Sequence, residues 1–583
     1  MVCGFLKVLA GLALAVLGGS AATAAPASYA LVPLTAILPV VGCESLGHVD
    51  LAPVTGAATT QSARKVAGDH PYCEVTGTVA PAIRFEVRLP LAGWTQRFLQ
   101  TGCGGLCGML RVEAEKAEGC APATDGLIVL ASTDMGHQGM DPTWGADAHK
   151  RIDFAYGSVH ITVLAARGLI QAFYGQAPRY SYFSGCSDGG REALIEAQRY
   201  PGDFDGIAAG APALNFTIQN SFHHAWLAKA NTGPDGKRLL TAIDMKPLHK
   251  AVLKACDGID RLVDGQISDP RACRYDPAPL LCKRGYIAGT CLTADQIAAV
   301  RQIYTGATGP RGEKLEVGPI MRGSEMEWIG VFVPLDRDAP VMSAMFALGT
   351  INNLLFTPNP QHPYTIASFP FDAAMFQREE TARALYDADD PKLAPFTSHG
   401  GKLILWHGWS DPHISPLNTI DYYARVGRTM GQAARDQAVR MFLFPGMGHC
   451  SGGDGPSEFP LLAALMSWVE TGQAPQALAA HRAGATLEGL PGPKGPAQGP
   501  AQGPPQGPAQ RPPQGVVPPM MTPARSVLSP RSRPVFAYPA VARYSGKGSP
   551  DDAASFVATM PPAQDSDVAA WIGAVKPRPR AAN

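Results

Sequence analysis

This 583-residue chain predicts an α/β fold, a mostly parallel sheet with one large insertion, on three observations. An aromatic strand, Tyr180 to Phe183, runs into the Gly-rich turn Gly185-Cys186-Ser187-Asp188-Gly189-Gly190 and then the amphipathic helix Arg191 to Tyr200. Two later apolar runs, Lys402 to Trp406 and Met441 to Phe444, each open into a polar loop, as buried parallel strands do. Between these halves, from about 214 to 398, strand–helix alternation breaks down into short helices and polar turns.

The elements follow in chain order. Lys7, the apolar run Val8 to Leu17 and Ala22-Thr23-Ala24 read as a signal peptide over residues 1–24. The mature protein is therefore expected to be secreted or periplasmic, without stable membrane insertion, since no later segment holds eighteen uninterrupted apolar residues. Residues 25–213 form the first part of the core, with strands at Ile83 to Leu89, Arg97 to Gln100 and Leu127 to Ala131. Residues 214–398 form a lid domain, and 399–487 resume the core through the helix Leu461 to Val469. Residues 488–530 are rich in Pro, Gly and Gln; the stretch from Pro491 to Met520 is too proline-rich to pack a core and reads as a disordered insertion. Residues 531–583 return to the core and end in a tail. Formal charge is zero, with no basic run of nucleic-acid type.

The chemistry starts at Ser187. In Gly-x-Ser-x-Gly the glycines permit a sharp turn that exposes the hydroxyl, and the helix N-terminus behind it favours an oxyanion. This elbow, followed by an acid and then a histidine, is the chain order of an α/β-hydrolase core with an inserted lid domain. Asp411 in His407-Gly408-Trp409-Ser410-Asp411-Pro412 supplies the acid, and His449 in Pro445-Gly446-Met447-Gly448-His449-Cys450 the base. His137, His160, His407 and His413 compete for the base and Asp454 for the acid, but His407 and Asp454 break the chain order. Thr101 to Leu106 is Gly-rich and follows a strand, so Gly104 or Gly105 offers one oxyanion N–H and Asp188 the other. Cys186 precedes Ser187 and Cys450 follows His449, so a bond between them would tie nucleophile to base.

Three stretches, Gly185 to Ala213, Leu403 to Pro416 and Phe444 to Gly453, resemble the tannase/feruloyl esterase family, which includes mono(2-hydroxyethyl) terephthalate hydrolase. The resemblance runs from about Cys43 to Phe556, apart from the proline-rich insertion. It implies a Ser187, Asp411 and His449 triad acting on small aromatic esters, such as feruloyl or galloyl esters. It also implies disulfides Cys43–Cys73, Cys186–Cys450, Cys256–Cys273 and Cys282–Cys291, leaving Cys103, Cys107 and Cys120, of which only two can pair with each other. A zinc site on these three is the rival reading, disfavoured by the lack of a well-spaced histidine. The acidic loop Cys256 to Ile267 resembles the family's lid calcium site. By position, Asp257, Asp260 and Asp264 would bind structural Ca2+ by carboxylate, and Leu262 and Gln266 by backbone carbonyl. Trp328 resembles a residue near the substrate pocket, either stacking on an acyl group or filling the lid core. The chain departs from the family at Ala537 and Ala558, where a cysteine pair is common. The alternatives to an esterase are a serine peptidase or thioesterase, or an inactive calcium-stabilised binding protein.

Overall fold

A computed structural model describes residues 29–112, 126–285, 287–482, 530–561 and 570–574. The expected signal peptide, Cys120 and nearly all of the proline-rich insertion lie outside the described residues.

One nine-stranded sheet organises the core. Its strands are β1 (Thr59–Val66), β2 (Tyr72–Val79), β3 (Ile83–Pro90), β4 (Arg97–Thr101), β5 (Val129–Thr133), β6 (Tyr180–Cys186), β7 (Gly206–Gly210), β8 (Lys402–Gly408) and β9 (Val439–Phe444). They lie in the order β1-β2-β3-β5-β4-β6-β7-β8-β9. From β5 to β9 every pairing is parallel, while β1, β2 and β3 add an antiparallel edge. The inner strands are buried almost throughout because both faces are covered, β4 at all its positions despite Arg97, Gln100 and Thr101; β7, Gly-Ile-Ala-Ala-Gly, is likewise buried at every position. Alternate residues feed opposite faces. Phe98, Phe183, Ile207 and Leu403 join one core, and Leu99, Tyr182, Ala208 and Ile404 the other.

The main helices are α1 (Ser158–Tyr174), α2 (Asp188–Arg199), α3 (Ala242–Cys256), α4 (Ala294–Thr305), α5 (Met342–Asn353), α6 (Pro416–Met430) and α7 (Leu461–Thr471). Helices α3 to α5 belong to the insertion between β7 and β8. It has a core of its own, built from Leu248, Val252, Ile297, Val300, Ile303 and Phe332 around Trp328. Trp328 is fully buried and donates its Nε1–H to Ser324 Oγ at 2.9 Å, so it fills the lid core and faces no substrate.

Past α7 the chain forms β10 (Ala477–Arg482), paired antiparallel with β11 (Arg531–Phe536). Beyond β11, the Tyr538 N–H donates to the Met441 carbonyl on β9 at 2.8 Å, so the C-terminal segment returns to the sheet. Among the described residues, disulfides join Cys43–Cys73, Cys103–Cys107, Cys186–Cys450, Cys256–Cys273 and Cys282–Cys291. No described helix is long and apolar enough to cross a membrane.

Candidate active site

Ser187 sits between the end of β6 and the start of α2, with φ 67° and ψ −121°. A side-chain-bearing residue adopts that backbone only where its surroundings force it. Two glycines make the turn possible. A Cβ on Gly185 would lie 2.6 Å from the Gly189 carbonyl, and one on Gly190 would lie 2.3 Å from the Gly210 carbonyl oxygen. The turn is also fixed by the Ser187 N–H donating to the Gly210 carbonyl at 2.9 Å.

The loops after β8 and β9 converge on this serine. His449 Nε2 lies 2.9 Å from Ser187 Oγ, and His449 Nδ1 lies 2.7 Å from Asp411 Oδ2. Asp411 is fully buried. Its Oδ1 accepts the backbone N–H groups of His413 and Ile414 at 2.8 and 2.9 Å. Burial alone would raise its carboxyl pKa. The His449 charge and the hydrogen bonds from His407 and His449 outweigh burial and hold it well below the ordinary range. Asp411 is thus kept ionised to accept the His449 Nδ1–H, which leaves Nε2 free to accept the serine proton. The Cys186–Cys450 disulfide, spanning 264 residues, fastens the elbow to the histidine loop.

The competing residues lie in other roles. His407 Nε2 sits between two acceptors, Asp411 Oδ2 at 3.1 Å and the Ile414 carbonyl at 3.0 Å, so it carries the proton and braces Asp411. His160 pairs with Asp203 at 2.5 Å, and His137 Nε2 meets the Leu106 carbonyl at 2.6 Å. Asp454 lies 3.1 Å from His249 Nε2. Burial would lower the His249 pKa, but hydrogen bonds to Asp454 and Glu325 raise it to about 10, so this pair is an ion pair. The His413 ring lies tilted against that of His449 with centroids 4.7 Å apart, and its two ring nitrogens have no hydrogen bond among the described residues.

A wall continues from His413. His224 lies 5.7 Å from it, ring to ring, and Phe346 on α5 lies 5.7 Å from His224. A Cβ on Gly105 would come within 3.9 Å of the Phe346 ring, so the lid helix closes over the loop after β4. Burial, reinforced by neighbouring imidazoles, lowers the His224 pKa well below its usual value, and burial with the His449 charge lowers that of His413 to about 3. The wall is therefore aromatic and uncharged.

The loop after β4 packs straight onto the elbow: a Cβ on Gly102 would stand 2.6 Å from Gly189 Cα. The Gly104 and Gly105 N–H groups donate no hydrogen bond among the described residues. The Asp188 side chain is locked to Arg191, at 2.7 and 3.0 Å, which leaves its backbone N–H at the helix N-terminus as its contribution to any oxyanion. Sequence reading left the Cys103–Cys107 bond open and missed Glu192, His224 and Phe346, whose contacts with Cys103, His413 and the loop at Gly105 come from tertiary folding.

In the acidic lid loop, Asp257 accepts the N–H groups of Asp264 and Gly265 at 3.2 and 2.9 Å. Asp260 accepts from Leu262 N–H and Ser268 Oγ at 2.9 and 2.5 Å. Asp264 faces Arg533 and Arg531 from β11. Burial raises the Asp264 pKa, against the two arginines and with the Asp257 and Asp260 charges. The carbonyls of Leu262 and Gln266 accept no hydrogen bond among the described residues. These hard oxygens fit a calcium ion in type, although the arginines already supply part of the counter-charge. The carboxylates do not converge as tightly as Cys103, Cys107, Asp188 and Glu192, whose ligand atoms all lie within 4.8 Å of one another; there both sulfurs are tied up in the disulfide.

A family profile described as Tannase and feruloyl esterase matches residues 64–559. The chain is 30% identical to mono(2-hydroxyethyl) terephthalate hydrolase of Piscinibacter sakaiensis, over 88% of this chain and 87% of that protein. It is 34% identical to "Probable feruloyl esterase B-2" of Aspergillus terreus, over 75% and 83%. Among solved structures, feruloyl esterase B from Aspergillus oryzae shares its fold at TM-score 0.70 and 24% identity, over 89% of this chain and 100% of that one. Tannin acyl hydrolase from Aspergillus niger does so at TM-score 0.63 and 20% identity, over 86% and 90%. The chain belongs to the tannase and feruloyl esterase family of carboxylic ester hydrolases.

Proposed function

We propose that this protein is an exported serine esterase that hydrolyses esters of phenolic acids through an acyl-enzyme on Ser187. The carrying observation is the unbroken line Ser187 Oγ, His449 Nε2, His449 Nδ1, Asp411 Oδ2, with contacts of 2.9 and 2.7 Å. His449 takes the Ser187 proton as the oxygen attacks the ester carbonyl, and Asp411 holds the resulting imidazolium. Backbone N–H groups of Gly104 and Asp188 receive the oxyanion. His449 returns the proton to the departing alcohol. It then takes one from water, which attacks the acyl carbon and releases the acid and Ser187.

The acyl preference follows from the wall of His413, His224 and Phe346. An uncharged aromatic wall favours a planar, neutral phenolic ring over one bearing a second carboxylate. Structural calcium, held by Asp257, Asp260 and Asp264 with the Leu262 and Gln266 carbonyls, belongs to the same reading. So does export, which five disulfides favour. A panel of methyl ferulate, methyl gallate and a terephthalate monoester on purified protein tests the reading. The first two should be turned over faster; turnover of the terephthalate ester alone would contradict it.

A further inference from the structure

The loop that carries the oxyanion donors has a clamp of its own. From Gly102 to Gly108 four of seven residues are glycine. The close approach of Gly102 to Gly189 requires this at one position at least. Such a sequence is conformationally loose, and loose donors cannot be preorganised. The structure removes that freedom at both ends of the loop. Cys103 and Cys107 are disulfide-bonded around Gly104, Gly105 and Leu106, and the Cys107 N–H closes the turn on the Gly104 carbonyl at 3.0 Å. Cys107 itself is held at φ 60°. At the far end, His137 holds the Leu106 carbonyl, and the Gly108 N–H donates to the Asp134 carbonyl at 3.1 Å.

Underneath lies Glu192, one turn along α2 from Asp188. Its Oε1 accepts the Cys103 N–H at 3.3 Å and sits 2.8 and 3.4 Å from the Cys103 and Cys107 sulfurs. Oε2 has no partner among the described residues. Burial, with the Asp188 charge, raises this carboxyl far above its usual pKa, so it contributes as a neutral acceptor. The Cys103 N–H is thereby turned inward to Glu192, while those of Gly104 and Gly105 stay unengaged.

We propose that the Cys103–Cys107 disulfide and Glu192 are positioning groups of the oxyanion hole, holding the Gly104 N–H in line with that of Asp188. The inference rests on the serine-esterase reading of Ser187. Neither group touches the reacting atoms; both act through the loop backbone.

The test uses the full chain carrying Cys103→Ser with Cys107→Ser, and separately Glu192→Gln and Glu192→Leu. On an aromatic methyl ester the double cysteine variant should lose about 10- to 100-fold in kcat, with KM within about two-fold. Phenylboronic acid, which adds to a serine as a tetrahedral adduct, should bind more weakly by the same factor as kcat/KM. Affinity for the planar product acid should not move. Glu192→Gln keeps the acceptor and should stay near the parent, whereas Glu192→Leu should follow the cysteine variant. A folded double cysteine variant with parental kcat and boronate affinity overturns the proposal, as does an equal loss of boronate and product-acid affinity. If that variant does not fold, the glutamate pair decides, and equal activity of Gln and Leu overturns it. A parent protein that neither hydrolyses esters nor takes boronate on Ser187 would instead sink the esterase reading itself.

Discussion

Removing the Cys186–Cys450 disulfide should damage stability and turnover together. The bond closes a loop of 264 residues between the elbow and the histidine loop. In the chain-entropy treatment a loop of that length is worth about 5–6 kcal/mol, and native disulfides cost about 2–5 kcal/mol when lost, so the lower range is expected. Cys186 is buried in the core on one face of the sheet and Cys450 packs against it, so alanine also leaves a small void. For activity the geometry is more telling. Ser187 and Cys450 both hold positive φ, at 67° and 60°, and both relax more easily once untied. A displacement of about 1 Å between nucleophile and base can cost about 100-fold in rate. The double variant Cys186→Ala, Cys450→Ala is to be compared with the parent by urea midpoint and by kcat on one aromatic ester. A parental midpoint with parental kcat would refute the reasoning, provided peptide mapping shows the bond oxidised in the parent.

Two further outcomes are expected. Glu196 is fully buried, and burial, with the charge of Asp203 and a hydrogen bond to it, raises its pKa well above the ordinary value. The folded state therefore holds a proton that the unfolded chain gives up, and stability falls as pH rises from the ordinary glutamate range through the raised folded value. Glu196→Gln should raise the melting temperature at pH 8 and much less at pH 4; equal shifts at both would refute this. For the lid loop, excess chelator should lower the melting temperature, and Asp260→Ala should abolish that response without touching Ser187 chemistry. An unchanged melting curve, with no calcium by elemental analysis, would reduce the loop to a disulfide-stapled turn.

The elbow was legible because Gly-x-Ser-x-Gly between a strand and a helix is a local pattern, and so were the two loops that follow buried apolar runs. The helix after Ser187 begins at Asp188 and not at Arg191 as the periodicity suggests. Gly189 and Gly190 read as a turn, yet they lie in the helix, and they are glycine because Gly102 and Gly210 pass too close for a side chain. Strand β5 likewise lies two residues later than the apolar run indicates. What sequence could not give is what the fold brings together over long separations. His407 bracing Asp411 is four residues away and was within reach of inspection, but Glu192 under Cys103 and Phe346 beside Gly105 depend on how α2 and the lid pack. Trp328 fits either a substrate platform or the lid core from its neighbours alone, and its burial places it in the lid core.

The most direct test of the central claim is covalent labelling by an aryl phosphonate, followed by peptide mapping. A hydroxyl 2.9 Å from His449 Nε2, on a strained turn beside a helix N-terminus, is the one site the account makes nucleophilic. Stoichiometric label on the peptide containing Ser187, abolished by Ser187→Ala in a protein with the parental melting temperature, is the predicted result. Label on any other residue, or ester hydrolysis by Ser187→Ala above a tenth of the parent where a loss of about 1,000-fold or more is expected, would contradict it.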